Sequence, residues 1–422
     1  MEQHSTNSAS TAGADQDCGA ERVEPKRNGT KNRSIVTRGS GYMFALVVTL
    51  FVSCVVDMET AQAQSWEWPD NEAFFAAPRY VRANGDTFAF YGQINRGSLQ
   101  YDDGVATERY HFVDNSKSVS RIGATYSADL DNGWNIGSRV ELAMRKRETR
   151  RVSILDPNDA GYSFDKTELR KLEISFGNDT FGRVFVGQGA MASDGVTGQD
   201  LSLTTVVAGA AVQDVAGGQY LRFGDGSLSN IKIQSVFKTL GSSRRLRIGY
   251  VSPSFSGFSF SAAAGREVLS DTDESSYADA SLRYRGDHGD FRTRFGVAYR
   301  TLEERSNAVI GSGSVLHRPT GLNLTIAAGA EVDGQGSYTY LKAGYLKKLS
   351  DLGPTAFSVD YYDGRGIRTA GGESRSQGFT VVQKVSKHKL DLYATYRPYQ
   401  YSEPNAEFKD GKAILAGVRW IF

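Results

Sequence analysis

Apolar and polar residues alternate with a period of two along most of the chain, which predicts strands with one polar and one apolar face. The clearest case is the final segment, residues 411–422, which ends the chain. Its apolar face carries Ile414, Ala416, Val418, Trp420 and Phe422, and its opposite face carries Gly417 and Arg419. No later element can cover that apolar face. A closed barrel, in which the last strand pairs with the first, leaves no free edge and is the predicted architecture.

The N-terminal part lacks this alternation. Residues 1–41 are polar and charged, and they precede an apolar run at residues 42–56 that is shorter than the roughly 20 residues needed to span a bilayer. A small-x-small cleavage pattern, Ala61-Gln62-Ala63, follows. We predict a cleaved leader and signal peptide over residues 1–63; an anchor helix, or lipidation at Cys54, is a less favoured alternative.

The remaining chain divides into a short periplasmic lead at residues 64–86 and a barrel at residues 87–422. Both cysteines, Cys18 and Cys54, lie in the leader, so the mature protein would have neither disulfides nor thiolate ligands. The formal net charge of +1 gives no electrostatic case for nucleic acid as a partner. No apolar run of helix-spanning length follows residue 63, while Tyr (21) and Phe (22) are abundant. These features favour a transmembrane antiparallel β-barrel of an outer membrane over a soluble β-sandwich.

Alternation predicts fifteen strands directly. They are residues 87–101, 117–130, 133–147, 166–177, 181–189, 243–252, 257–265, 276–286, 290–301, 321–331, 336–348, 354–363, 377–385, 388–401 and 411–422. An even number is needed to place both ends in the periplasm, so we predict sixteen. The remaining strand is expected between residues 302 and 321, where residues 314–317 are a weak candidate. Residues 231–237 could supply a further hairpin and raise the count to eighteen.

Five short segments and the final residue occur in a recognisable order. They are Phe90-Tyr-Gly-Gln-Ile-Asn95, Val113-Asp-Asn115, Ser120-Arg-Ile-Gly123, Asp129-Leu-Asp-Asn-Gly133, Phe181-Gly-Arg-Val-Phe-Val-Gly-Gln188 and Phe422. Together they resemble the general, non-specific porins of Gram-negative outer membranes. The resemblance implies a sixteen-strand barrel assembled as a homotrimer. It also implies that Phe422 is the signal for the barrel-assembly machinery.

The longest connection lies between Gln188 and Ser242, and loops of this length are usually functional or disordered. In the family that the chain resembles, the third outer loop folds into the lumen and narrows it with acidic residues. The acidic candidates here are Asp194, Asp200, Asp214 and Asp225. The loop lacks the Pro-Glu-Phe-Gly-Gly sequence of many members, so the residue that reaches the constriction stays open. A solvated outer loop is the alternative.

Basic residues that alternate against apolar neighbours are expected to face the lumen, because a charge facing lipid at mid-depth costs about 2–4 kcal/mol. The predicted lumen-facing residues are Arg121, Arg139, Arg145, Lys171, Arg245 and Arg247. For Arg121 the resemblance also implies a pore arginine. Alternation favours Lys171 over Arg170, because Lys171 shares a face with Glu173. Gln93 stands where the family has a lysine, which removes one positive charge.

These features predict a water-filled channel for passive diffusion of small hydrophilic solutes and ions. Arginines facing loop carboxylates would set up a transverse field that admits polar solutes and disfavours apolar ones. A channel selective for anions or sugars, and a non-conducting structural barrel, are the alternatives. The expected partners are outer-membrane lipid, two further copies of the chain, the assembly machinery and the solutes.

Enzymatic activity is not expected. The histidines beyond the leader are His111, His288, His317 and His388, and none lies in a nucleophile motif. No residue spacing indicates a metal or cofactor site. A weak Ca²⁺ site at Asp271, Asp273 and Glu274 is conceivable, but such clusters are usually solvated loops.

Overall fold

The computed structural model describes residues 79–81, 85–158, 166–270, 275–302 and 307–422. These residues form a closed antiparallel barrel of sixteen strands. The strands are β1 Thr87–Asp102, β2 in two segments Thr107–Asp114 and Arg121–Asp129, β3 Asn135–Ala143, β4 Leu169–Asn178, β5 Gly182–Ala190, β6 Arg244–Val251, β7 Phe258–Arg266, β8 Ser276–His288, β9 Phe291–Leu302, β10 Ala308–His317, β11 Leu322–Glu331, β12 Ser337–Ser350, β13 Gly353–Arg365, β14 Glu373–Val385, β15 Leu390–Glu403 and β16 Gly411–Ile421. The all-β barrel prediction is confirmed.

The sixteenth strand lies in the predicted interval between residues 302 and 321. It spans Ala308–His317 and is therefore longer than the candidate at residues 314–317. The eighteen-strand alternative is wrong. Residues 231–237 belong instead to the long loop, within a short hairpin of Tyr220–Arg222 with Leu228–Lys232 and the one-turn helix α1, Ile233–Val236. Single 3-10 turns occur at Ser116–Ser118, Asp131–Gly133, Lys166–Glu168, Val196–Gly198, Val212–Asp214 and Ser386–His388.

The barrel closes where β16 pairs with both β15 and β1, as the alternation of the final segment predicts. Phe422 completes the seam, since its backbone exchanges hydrogen bonds of 2.9 and 3.0 Å with that of Gly92. The Phe422 ring lies directly against Gly92, where an added Cβ would come within 2.5 Å of it. Gly92 is therefore required by close approach rather than by backbone conformation.

Strand β2 is interrupted, and this differs from the sequence prediction. Residues 102–116, which fall between the first two predicted strands, are mostly the upper part of β2 and pair with β1. Phe112 has a positive φ of 61° at a bulge, and the 3-10 turn at Ser116–Ser118 follows. Buried Gln93 donates to the Ser118 and Val119 carbonyl oxygens, so it stabilises this break. The alternating pattern could not show the bulge, because a bulge shifts the pattern by one residue.

The outer face of the barrel is an apolar band, as expected for a surface in contact with lipid. Side chains such as Phe90, Leu324, Leu341 and Val359 point outward and are about half exposed or more. Tyrosines and small polar residues alternate with them on the inner face. No helix within the described residues is long and apolar enough to cross a membrane.

The lumen is not uniformly hollow. The long loop, residues 191–243, folds inside the barrel and packs on the inner faces of β10–β16 and β1 and on the upper part of β2. Its Phe237 is fully buried against Tyr362 and Tyr399, with ring centroids 5.4 and 5.2 Å apart. This half of the lumen is therefore a solid core rather than a water-filled space.

The predicted lead contributes one described piece, the short strand Arg79–Val81, which pairs with Thr87–Ala89 of β1. The predicted leader and cleavage site, and most of the lead, lie outside the described residues.

Candidate channel lining

The start of the long loop is fixed to the wall by strand β8. The Asp279 carboxylate accepts hydrogen bonds from the backbone N–H groups of Ala192 and Ser193, at 2.9 and 2.8 Å. Arg283, four residues further along the same face of β8, donates to the Ala192 and Asp194 carbonyl oxygens. These contacts hold the backbone of Asp194 while leaving its side chain 29% exposed.

The middle of the loop is held by Lys342 of β12. The fully buried Nζ lies 2.7 Å from Asp200 Oδ2 and donates also to the Ser202 and Thr204 hydroxyls and the Ala208 carbonyl. Burial raises the pKa of the Asp200 carboxyl, but the Lys342 ammonium and the Ser202 hydrogen bonds outweigh it and lower that pKa below its usual range. Asp200 is therefore an anchoring residue of the loop and does not face open space.

The other two predicted acidic residues also lie away from open lumen. Asp214 is 8% exposed and makes longer ion pairs with Lys117 at 3.8 Å and Arg150 at 3.6 Å. Asp225 occupies an exposed turn, where it accepts from the backbone and hydroxyl of Ser227. Of the four acidic candidates, Asp194 alone lines the large cavity described next.

A polar cavity of about 590 Å³ lies in the other half of the lumen. It is bounded by β2–β8 and by the first residues of the long loop. The charged residues that line it are Arg139, Lys171, Glu173, Arg183, Asp194, Arg247 and Arg283. Five of these seven are basic, so the cavity carries an excess of positive charge.

Two of the predicted cations, Arg139 and Lys171, line this cavity. No described residue forms an ion pair with Arg139 or Lys171, which alternate inward from β3 and β4. Arg247, in contrast, donates to Glu173 at 2.5 Å and to the Ala190 carbonyl at 2.9 Å, and is 7% exposed. Arg139 and Lys171 therefore present charge to the cavity, whereas most of the Arg247 charge is neutralised by Glu173.

A second cluster surrounds Glu141 of β3. Its carboxylate accepts from Tyr91 at 2.8 Å and Arg170 at 2.5 Å, and lies 3.6 Å from Arg121. Alternation alone placed Arg170 on the lipid face, but the register shifts between Glu141 and Leu142, so Arg170 is the extra residue of a bulge and turns inward. Both Lys171 and Arg170 thus belong to the inner surface.

The last two predicted basic residues lie near strand ends. Arg145 lies beyond β3, which ends at Ala143, and is held by Glu168 at 3.3 Å in the second outer loop. Arg245 faces inward at the start of β6, where it pairs with Glu267 at 3.1 Å and stacks on the Tyr277 ring at 4.0 Å. The predicted strand 133–147 was too long, because Arg145 through Arg151 form a loop rather than a continued strand.

Around the cavity and the Glu141 cluster, sequence reasoning missed the basic residues Arg170, Arg183, Arg244 and Arg283. The Arg244 guanidinium lies 3.8 Å from the Asp194 carboxylate, so these two side chains face each other across the loop junction. Alternation could have identified Arg183 and Arg283, since Arg183 lies opposite Val184 and Val186 on β5 and Arg283 shares a face with Asp279 and Ser281 on β8. No local signal marks Arg244, which begins its strand.

Within the described residues, no group of three or more His, Cys, Asp or Glu side chains could hold a metal ion. Asp271, Asp273 and Glu274, the weak calcium candidates, lie outside the described residues.

Comparison with known proteins agrees with this architecture. The chain is similar in fold to an anion-selective porin from Comamonas acidovorans, with 15% identity, a TM-score of 0.52, and coverage of 80% of this chain and 100% of that one. It is also similar to Salmonella typhi OmpF in complex with daunomycin, with 10% identity, a TM-score of 0.52, and coverage of 81% and 99%. A loop L8 deletion mutant of OmpT, an outer membrane protein of Vibrio cholerae, has 14% identity, a TM-score of 0.50, and coverage of 80% and 99%.

Similarity at these identities shows the fold alone. No curated protein sequence matches the chain significantly. A family profile described as Gram-negative porin, however, matches residues 59–404, which is most of the chain. The protein therefore belongs to the Gram-negative porin family, and it is an outer-membrane β-barrel that forms a channel for passive diffusion.

Proposed function

We propose that this porin is a general diffusion channel that favours small anions over cations. The observation that carries the proposal is the cavity between β2–β8 and the long loop, where Arg139 and Lys171 have no ion-pair partner among the described residues. Unpaired cations in a confined aqueous space attract anions and repel cations more strongly than paired ones. The porin from Comamonas acidovorans, which is similar in fold, is described as anion-selective.

The filled half of the lumen supports a narrow rather than a wide path. Solutes would pass beside the polar wall of β2–β8, between Arg139 and Lys171 on one side and Asp194 on the other. A polar solute can align with the field between these charges. An apolar solute must displace ordered water without replacing its hydrogen bonds, so it is disfavoured.

The test is the reversal potential of single channels in planar bilayers under a salt gradient. The wild-type protein should show a preference for chloride, and the double variant Arg139→Gln, Lys171→Gln should shift toward cations. A matched control, Lys387→Gln with Lys412→Gln, removes two exposed charges from the barrel ends and should leave the reversal potential nearly unchanged. Equal reversal potentials for wild type and the double variant would reject the role of Arg139 and Lys171, and absence of conductance would reject the channel itself.

We also propose that the protein assembles as a homotrimer through the outer face of β1 and β2. On that face His111 Nδ1 lies 3.1 Å from Ser98 Oγ, and Arg109 donates to Gln100 at 3.0 Å. Ser98 and Gln100 are paired in register with Ala416 and Ile414 of the apolar band. An exposed arginine at this level of the bilayer would be costly in lipid. Contact with a second copy of the chain would remove that cost.

Native mass spectrometry of the detergent-extracted protein tests the assembly. Three copies are expected for the wild type. Ser98→Trp introduces bulk into the proposed contact and should release single copies, whereas Val359→Trp, on the apolar outer face of β13, should not. A trimer that persists in Ser98→Trp would move the interface elsewhere.

Two further features of the chain ends are proposals. We propose that Phe422 is a signal for the barrel-assembly machinery. Its backbone bonds to Gly92 at the closing seam, so the residue is free to be recognised until the barrel closes, which supports this role. Deletion of Phe422 should lower the amount of folded barrel in the membrane more than it lowers the stability of barrel refolded in vitro. Removal of residues 1–63 is the second proposal, and N-terminal sequencing of the mature protein should begin at Gln64.

We propose no chemical step. The Ser98–His111 contact has the nucleophile and base types of a hydrolase, but no described carboxylate orients His111. Ser98→Ala should leave solute permeation unchanged, and lipid hydrolysis that depended on Ser98 would contradict the proposal.

A further inference from the structure

We propose that the outer surface of β11–β16 holds one anionic phospholipid of the periplasmic leaflet, with an acyl chain in an apolar groove and the phosphate on Lys347. The proposal concerns the lipid-facing surface and does not depend on the selectivity of the channel.

The groove is a depression of about 650 Å³ in the outer face. It lies over Ala343 and Ala394, and the larger side chains of neighbouring strands form its walls. These walls include Leu322, Tyr345, Phe357, Phe379, Val381 and Tyr396. A second depression of about 850 Å³ adjoins it and shares Ala343, Val359 and Phe379. Together the two depressions form one long apolar groove on the outer face, which could hold the acyl chain of a lipid.

The periplasmic end of the groove is polar. Lys347 follows Ala343 and Tyr345 on the outward face of β12, about 13 Å from Ala343 along the strand at 3.3 Å per residue. In register beside it lie Thr355 and Gln383, whose side chains share a hydrogen bond of 2.6 Å. Lys347 is exposed, and no described residue forms an ion pair with it. Lys347 therefore places one cation just beyond the groove, next to two polar side chains that already bond to each other.

The direction of the strands identifies the leaflet. Lys347 lies just before the short turn from β12 to β13, at the same barrel end as the start of β1 and the end of β16. Short turns of outer-membrane barrels face the periplasm. The nearby charges are Lys348, which pairs with Asp351 at 3.3 Å, and exposed Lys387. The net charge of these side chains is positive, which favours binding of an anionic headgroup over a zwitterionic one by about fivefold per lysine.

A second copy of the chain is a less suitable occupant. The outward side chains that form the groove are apolar and compatible with lipid, whereas the polar patch that lipid cannot satisfy lies on β1 and β2. Lys347 would be left without a counter-charge against another apolar surface. Phospholipid satisfies both the groove and the cation.

Native mass spectrometry in detergent, with added phosphatidylglycerol or phosphatidylcholine of equal chain length, tests the proposal. The wild type should retain phosphatidylglycerol about fivefold better. Lys347→Gln should lower that retention to the phosphatidylcholine level, and Lys412→Gln, at the other end of the barrel, should not. Ala343→Phe fills the groove and should lower retention of both lipids.

Equal retention of the two lipids by the wild type would overturn the proposal, as would unchanged phosphatidylglycerol retention in Lys347→Gln. A change in the number of copies per particle in Ala343→Phe would show that the groove holds a second protomer and would also overturn it. Because Lys347 is an exposed side chain, its variant stays informative even where Ala343→Phe fails to fold.

Discussion

The two halves of the lumen contain similar residue types but differ in packing: one half is filled by the long loop and the other is open. Against β10–β15 the long loop forms a dry core that contains buried ion pairs, such as Arg397 with Asp360 at 2.7 Å, both fully buried. Against β2–β8 the inner wall stays open, and Arg139 and Lys171 form no ion pair with any residue that the structure describes. The charged residues are therefore structural on one side and available to solutes on the other.

The difference comes from where the loop is tied. Hydrogen bonds from Ser312, Ser358, Ser374 and Tyr399 fasten it to the far wall, and the buried Lys342 secures its middle. Strand β8 holds only its beginning, through Asp279 and Arg283. Further contacts join its middle to the upper part of β2 and to the second outer loop, as in Asn115 with Val206 and Thr149 with Asp214. The loop thus narrows the lumen by filling one half of it, and the proposed selectivity depends on the other half.

The largest expected effect follows from removing the Lys342 ammonium. Lys342→Met leaves Asp200 buried without its counter-charge, which costs about 3–5 kcal/mol for a buried pair. We expect the loop to detach, with larger and noisier single-channel currents and a lower unfolding midpoint in guanidinium. Adding Asp200→Leu should recover part of the stability; a quiet, wild-type current in Lys342→Met would show that the loop is held without it.

A smaller loss is expected at Phe237, which packs between Tyr362 and Tyr399 in the filled half. Phe237→Ala opens a cavity in a close-packed core and should lower the free energy of unfolding by about 3 kcal/mol. Phe237→Leu conserves most of the volume and should lose less. Phe255→Ala is the control, because that ring is 81% exposed. Similar unfolding curves for Phe237→Ala and Phe255→Ala would mean that the loop core does not support the fold.

Asp194→Asn changes charge without releasing the loop, because Asp279 and Arg283 hold the backbone on both sides of residue 194. The cavity loses one of its two carboxylates. Selectivity for chloride in reversal-potential measurements should rise modestly, with conductance within about twofold of wild type. A shift toward cations would contradict the placement of Asp194 at the path.

The smallest effect is expected for Arg121→Ala with Arg245→Ala. Both side chains lie on the inner surface, but each has a carboxylate within 3.6 Å, Glu141 for Arg121 and Glu267 for Arg245, which weakens its field in the open cavity. The reversal potential should move toward cations by less than in the variant lacking Arg139 and Lys171. A larger shift would mean that solutes pass beside Glu141 instead of the open cavity.

Sequence alternation predicted the strands well because lipid outside and a polar lumen inside impose a strict period of two. It identified the inward positions of Arg139 and Lys171 for the same reason. It failed at bulges: Arg170 and the break in β2 each shift the period by one residue. A single sequence has no local signal for an extra residue opposite a strand.

The interior of the loop was less predictable. No sequence feature distinguishes Asp194, Asp200 and Asp214 from one another. Their roles depend on which basic residue each carboxylate pairs with. Lys342 lies inward on β12, more than a hundred residues from Asp200. Alternation places such a lysine on the inner face, but it cannot supply the pairing. The packing of the loop in the filled half of the lumen therefore depends on long-range contacts that the sequence pattern does not show.

Accessibility to a thiol reagent from the aqueous lumen tests the two-halves account most directly. Residues 64–422 contain no cysteine, so single cysteines can be placed at Thr125, which lines the open cavity and is partly exposed, and at buried Ser358, which contacts Thr204 of the loop. A negatively charged methanethiosulfonate reagent should reduce the current through Thr125→Cys channels and leave Ser358→Cys channels unchanged. Block at Ser358→Cys together with no block at Thr125→Cys would contradict the account.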